Sequence, residues 1–218
     1  MKMRCLAVGG LWLLGCAGAL AESRRAELSL VEVRTVAPQI QVDLRYATAQ
    51  NFTGKILYPK EAGCYLRMPV AQALGKVAAA LAAEGLSLKV FDCYRPQRVQ
   101  FLLWELVKDE RYVAHPTKGS RHNRGAAVDL TIIDQSGQEL PMPTAFDDFT
   151  EKAHRSYSEL PEPAKHNRAR LEQAMARAGF VGLSTEWWHF DAGDWQRYPL
   201  SDIPFESLAT AQQPTPSR

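Results

Sequence analysis

The run Ala126-Ala127-Val128-Asp129-Leu130-Thr131-Ile132-Ile133 constrains the fold more than any other stretch. Its apolar and β-branched content reads as a strand, in which successive side chains alternate between two faces. Ala126, Val128, Leu130 and Ile132 then share one face, and Ala127, Asp129, Thr131 and Ile133 the other. If the first face is core, Asp129 points from the second into a cleft. A carboxylate there needs a partner or a metal. Taken alone, Asp129 reads equally well as a capping or salt-bridging residue.

The chain around this strand alternates helical and extended periods. "RMPVAQALGKVAAALAAEG" carries Val70, Leu74, Val77 and Leu81 at helical spacing, with Pro69 suited to the first turn and Gly85 to the end. "RPQRVQFLLWELVKDE" predicts a second helix with Val99, Leu102, Leu103 and Leu106 inward. Residues 166–178 predict a third, with Leu171, Ala174, Met175 and Ala178 inward and Gly179 closing it. Residues 28–46 and "LSLKVFD" read as extended, and "TEWWHFD" as a strand or a turn into one. "AQNFTGKILYP", "PTKGSRHNRG" and "QSGQELPMPTAFDDF" read as loops. Helices mixed with short, non-adjacent strands predict a small single α+β domain, with a central antiparallel sheet flanked by helices.

The first residues follow another logic. Lys2 and Arg4 precede an apolar run and then Ala19-Leu20-Ala21, the pattern of a secretory signal peptide cleaved after Ala21. The run is too short and interrupted for a membrane span. The expectation is an exported, periplasmic protein without stable membrane insertion. The alternative is a lipoprotein anchored at Cys16 in "LLGC". Residues 22–205 then form the functional domain and 206–218 a disordered tail. Losing Lys2 and Arg4 brings the 26 Lys and Arg to parity with the 24 Asp and Glu, so no basic nucleic-acid surface is implied. No glycine-rich nucleotide loop is present either. Of the four cysteines, Cys64 and Cys93 remain after cleavage. In an oxidising compartment they predict one disulfide, with two buried thiols as the alternative.

Three places combine loop or strand-end positions with ionisable side chains: Arg95, the pair His122 and Asp129, and the pair Glu186 and His189. Two histidines and an aspartate supply three ligands that suit zinc and leave a fourth position for water. Glu186 would then be a general base beside that water. Residues 186 and 189 face opposite ways in a regular strand. The two converge only if Glu186 precedes the strand or a bulge intervenes. The helical H-E-x-x-H motif is absent, so such a site must be sheet-based. Arg95 stands between "DCY" and Pro96. It reads as a surface arginine or as an electrophile for a developing oxyanion. Trp187 and Trp188 read as one core residue and one cleft wall.

At these residues the chain resembles the VanX-type D-alanyl-D-alanine dipeptidases, zinc peptidases grouped with D,D- and L,D-carboxypeptidases and the hedgehog fold. The blocks "DLRYATAQNFTG", "DCYRP", "GSRHNRGAAVDLT", "FDDF" and "EWWHF" carry the resemblance, over roughly residues 40–200. It implies one zinc ion held by His122, Asp129 and His189, with Glu186 as catalytic base and Arg95 stabilising the tetrahedral intermediate. It implies Asp147 as receiver of the free amine of a small D,D-dipeptide, and Ser120 and Tyr46 as pocket residues. Arg121 and Asn123 depart from the serines usual around the first histidine, and Pro143 from a common glycine. An exported enzyme of this kind would recycle or scavenge dipeptide from the cell wall. The alternatives are a zinc D,D- or L,D-carboxypeptidase acting on peptidoglycan stem peptides, and a non-catalytic binding protein.

Overall fold

The strand that constrains the sequence is also the middle of the molecule. In the computed structural model, which describes Glu22 and residues 25–211, β5 (Ala127–Ile133) is buried at all seven positions. It lies third in a five-stranded sheet with β2 (Gln41–Val42), β4 (Ser87–Asp92), β7 (His189–Ala192) and β6 (Phe180–Gly182), in the order β2-β4-β5-β7-β6. The pairs are antiparallel except β2 with β4, so the expected antiparallel sheet has one parallel pair at its edge. β1 (Leu30–Glu32) and β3 (Tyr65–Arg67) form a separate antiparallel pair.

Helix α1 (Met68–Ala82) forms where its periodicity predicts, with proline in the first turn. There the missing N–H leaves no hydrogen bond unmade. Val70, Leu74, Val77 and Leu81 are all buried. α1 packs on β4 and on α3 (Glu162–Arg177), and α3 packs on β5 and β6. Val128, Leu130 and Ile132 join that core with no exposed surface. The Asp129 face is thereby left for the loops that build the cleft.

Several expectations are corrected. Residues 28–46 break into β1, a 3-10 turn (Val33–Thr35), β2 and a second turn (Arg45–Ala47). In α2 (Gln97–Leu106) the inward stripe is Val99, Gln100 and Leu103, while Leu102 and Leu106 are 51% and 49% exposed. α3 begins four residues before the expected start. Part of the expected tail is helix α4 (Phe205–Ala211), held by burial of Phe205 and Leu208. Phe205 packs on Tyr58 at 4.9 Å and on Tyr94 at 6.1 Å. The expected signal segment and residues 212–218 lie outside the described residues. Cys64 and Cys93 are disulfide-bonded, with their Cα atoms 5.2 Å apart. The bond fastens the segment after β4 to the one before β3.

Candidate active site

Strand register builds the floor of the cleft. Asp129 lies opposite His189 on β7 and opposite Asp92 on β4, so three ionisable residues stand in one row across three strands. A bulge makes the row possible. Val90 pairs with Leu130, so regular pairing would set Asp92 against Val128 and turn it to the core. The register shift between Val90 and Asp92 brings it to Asp129 instead.

His122 enters from the 3-10 turn His122–Arg124, which leads into β5. Gly125 closes that turn in the left-handed region at φ 65°, and a Cβ there would run into the Leu30 side chain. His122 Nδ1 donates to the Cys93 carbonyl at 2.7 Å, and its Nε2 lies 3.3 Å from Asp129 Oδ2 and 3.1 Å from His189 Nδ1. With Nδ1 protonated, a neutral ring turns an Nε2 lone pair toward the Asp129 carboxylate and the His189 ring nitrogen.

His189 sharpens the point. Its Nδ1 lies 2.9 Å from Asp129 Oδ1 and its Nε2 2.9 Å from Asp191 Oδ1. A neutral ring would set one lone pair against a carboxylate. The geometry therefore requires a positive charge, supplied by a proton or by a metal. Burial works against a proton on His189, but Asp129 and Asp191 outweigh it and lift the ring to about 10. Burial likewise opposes the Asp129 charge, and the two histidines override it, holding that carboxyl well below the usual range. The ligand atoms of His122, Asp129 and His189 lie within 4.8 Å of one another, and all three residues are buried. Cys93 and Asp191 fix which ring nitrogen each histidine turns inward, as outer partners of metal ligands do. The donor set fits zinc.

Glu186 precedes β7, in the turn that the Leu183 N–H closes on the His189 carbonyl at 3.1 Å. This resolves the facing problem without a bulge, and Glu186 Oε2 comes to 3.9 Å from His189 Nδ1. Burial pushes its carboxyl up to about 8, with His189 opposing and Asp129 and Asp147 adding to the rise. One arginine holds the turn. Arg155 Nε donates to the Leu183 carbonyl at 2.9 Å, and its Nη2 to those of Trp187 at 3.0 Å and His189 at 2.9 Å. Trp187 and Trp188 are both buried. Trp188 lines the cleft, whereas Trp187 Nε1 donates to Thr144 Oγ1 at 2.9 Å and so steadies the loop that carries Asp147.

Arg95 is buried, not a surface residue. It donates from Nε and Nη2 to Asp92 Oδ2 at 3.2 and 2.6 Å, and from Nη1 to Gln100 Oε1 at 2.9 Å. Burial alone would weaken its charge, but Asp92 beside it more than compensates. Three of its five N–H groups are thus engaged, and two remain. Tyr46 lies under its guanidinium at 5.2 Å and donates to Asp147 Oδ1 at 3.3 Å. Asp147 is the one described residue other than glycine in the left-handed region, at φ 62°, and its enclosed Oδ2 has no hydrogen-bond partner among the described residues. Burial pushes its carboxyl up to about 8, with Asp129 adding to the rise and Arg95 opposing it. Ser120 Oγ accepts from the His122 N–H at 3.2 Å.

All eight residues singled out from the sequence line one cavity of about 90 Å³. Sequence reasoning missed Asp92, Asp191 and Arg155. Asp191 was within reach, since in a strand it shares the face of His189 two residues earlier.

Residues 26–207 match the family model described as D-ala-D-ala dipeptidase. The D-alanyl-D-alanine dipeptidase of Escherichia coli (strain K12) is 40% identical over 171 residues, covering 78% of this chain and 88% of that protein. That of Enterococcus faecium is 30% identical over 202 residues, covering 82% and 98%. Among solved structures, VanYB in complex with D-Alanine-D-Alanine aligns over 69% of this chain and 86% of that chain, at 17% identity and a TM-score of 0.42. That likeness is too loose to bear on the site.

Proposed function

The chain belongs to the D-ala-D-ala dipeptidase family, and on that premise we propose that it is a zinc dipeptidase that hydrolyses D-alanyl-D-alanine to two D-alanines. The observation that carries the reading is the convergence of His122, Asp129 and His189 with Glu186 beside them. These three would hold one zinc ion, which supplies a Lewis acid that acidifies water and steadies developing negative charge.

The chain's own residues do the rest. Glu186 takes the proton of the attacking water and delivers it to the nitrogen of the departing D-alanine. Burial makes its ionised form a stronger base than an exposed carboxylate, which suits the uptake, and leaves its acid form able to deliver the proton. Arg95 directs its two remaining N–H groups at the oxyanion that forms on the carbonyl. Its bonds to Asp92 and Gln100 set it in place before the reaction. Asp147, with Tyr46 donating to it, receives the substrate ammonium at the unpartnered Oδ2. An internal residue of a longer peptide has no ammonium to offer there, so the reading favours the free dipeptide over stem peptides. Ser120 supports His122 from the cavity wall. The basic-then-apolar stretch at residues 2–21 supports export, with a role in recycling dipeptide released from the wall.

The test uses residues 22–218 loaded with zinc, assayed on D-Ala-D-Ala, its N-acetyl derivative and a pentapeptide stem, with Glu186→Ala as control. Release of D-alanine from the free dipeptide alone is expected. Comparable turnover of the blocked or longer substrates would move the assignment to a carboxypeptidase.

A further inference from the structure

A D,D-dipeptide carries two charges, and the residues discussed so far account for its ammonium. Its carboxylate asks for a cation with free, coplanar N–H donors. Arg95 does not qualify fully, since Asp92 and Gln100 hold three of its N–H groups. Arg111, also on the cavity wall, is tied to Asp109 by bonds from Nε and Nη2 and stands 70% exposed. Arg121 differs from both. It lines the cavity and directly precedes His122 in the chain. Its guanidinium lies on the Trp195 ring at 4.7 Å. Its Nε is buried without a hydrogen-bond partner among the described residues, 3.5 Å from Asp191 Oδ2. Stacking occupies the face of a guanidinium and leaves the N–H groups at its edge available.

We infer that Arg121 receives the terminal carboxylate of the substrate and thereby selects dipeptides with a free acid end. The inference rests on the dipeptidase reading and adds a specificity residue to it. Trp195 holds the fork in place, and Asp191 orients Nε without forming a hydrogen bond that the substrate would have to break. The competing role is indirect: Arg121 would act only through Asp191 on His189, as a positioning residue of the metal site.

Substrate and enzyme changes together separate the two. Wild type, Arg121→Gln and Arg121→Lys, all loaded with zinc and with zinc content measured, are assayed on D-Ala-D-Ala and on D-alanyl-D-alaninamide. Arg121→Gln should lower kcat/KM on the acid by about 10- to 100-fold, the range of one charge-assisted contact. It should leave the amide nearly unchanged, so that the preference for the acid collapses. Arg121→Lys keeps the charge but not the fork, so it should fall between, and it carries the same test if the glutamine variant does not fold. Equal losses on acid and amide, or zinc lost in step with activity, would overturn the inference and leave the indirect role. A wild type that releases D-alanine from neither substrate would instead sink the dipeptidase reading, and this inference with it. An active wild type whose acid preference survives both variants would refute the inference alone.

Discussion

Arg155 gives the most exacting test of how the fold presents Glu186. Replacing it with methionine keeps most of the volume and removes three hydrogen bonds to the carbonyls of Leu183, Trp187 and His189. The loss is smaller than three separate bonds. The Leu183 carbonyl also accepts from the Glu186 N–H, and the His189 carbonyl from the Leu183 N–H. Only the Trp187 carbonyl is left with no other partner among the described residues. Burial also draws the guanidinium down to about 10, with Glu172 opposing, so holding the charge there is itself unfavourable. One orphaned carbonyl and weakened support for two others cost about 2–4 kcal/mol, which lowers Tm by roughly 5–15 °C for a domain of this size. Activity should fall further than stability requires. A shift of Glu186 by about 1 Å is worth roughly 100-fold in rate. The assay is kcat/KM on the zinc-loaded dipeptidase well below the variant's own Tm, beside a thermal melt. Gly182→Ala approaches the same point from the other side, because its Cβ would run into the Arg155 guanidinium. A variant with lowered Tm and unchanged kcat per folded molecule would refute the claim that Arg155 positions Glu186.

Asp147→Asn suits the left-handed backbone at this position, which asparagine tolerates well, so it isolates the charge; kcat/KM on the free dipeptide should fall by about 10- to 100-fold, and an unchanged value would dismiss Asp147 as amine receiver. Because burial raises that carboxyl to about 8, it is protonated at pH 7 and ionised above 8; binding of the ammonium at pH 7 should therefore expel a proton, read as a buffer-dependent binding enthalpy in zinc-loaded Glu186→Gln that fades at pH 9 and is absent once Asp147→Asn is added. Zinc uptake by the metal-free protein at pH 7 should release at least one proton, since the carboxylates flanking His189 demand a positive charge there in either state; uptake without proton release would contradict the assigned geometry. Replacing Cys64 and Cys93 by alanine opens a link of sequence separation 29, which chain entropy values at about 3.5 kcal/mol; Tm should drop accordingly while zinc affinity changes little, because the His122 bond goes to the Cys93 backbone.

The readable parts of the fold are those where one face decides the pattern. α1 follows from its apolar stripe and β5 from alternation, and the β5 reading alone put Asp129 in a cleft. The failures have physical causes. α3 starts at Glu162 because Pro161 and Pro163, which look like loop punctuation, occupy its N-terminal boundary and first turn. There a missing N–H does no harm. Leu102 and Leu106 share helical spacing with each other but lie beside the Val99 and Leu103 stripe, and only a neighbouring element decides which stripe is covered. α4 depends on the pocket between Tyr58, Tyr65 and Tyr94 that takes Phe205, a contact no local pattern encodes. At the site, residue types and spacing singled out His122, Asp129, Glu186 and His189, which the structure draws together. Asp92 stayed hidden because it reaches their row only through a bulge, and Arg155 because its partners are backbone carbonyls.

The cleft also explains why its charges call for a positive charge at His189, from a proton or from a metal. Asp92, Asp129, Asp147, Glu186 and Asp191 converge on a space in which, among the described residues, Arg95 and Arg121 are the guanidinium groups paired with or beside one of these five carboxylates. Asp92 is satisfied by Arg95, by the Tyr58 hydroxyl at 2.8 Å and by the Cys93 N–H at 2.9 Å. It therefore contributes an anchor and not a free charge. Asp129 and Asp191 are satisfied only if His189 carries positive charge or a dication takes that place. Glu186 has His189 Nδ1 no nearer than 3.9 Å and Asp147 has the neutral Tyr46 hydroxyl at 3.3 Å, and burial drives both to about 8. The protein thus keeps two carboxyls basic beside a donor set that calls for a metal. On the proposed reading, one stands next to the metal donors, where water would lose a proton. The other stands on Tyr46, where an ammonium can neutralise it. A merely structural metal site would have no use for either, since both cost stability as the pH rises through 8. Their retention in one buried cavity is the physical argument that the site is built for turnover of a small zwitterion.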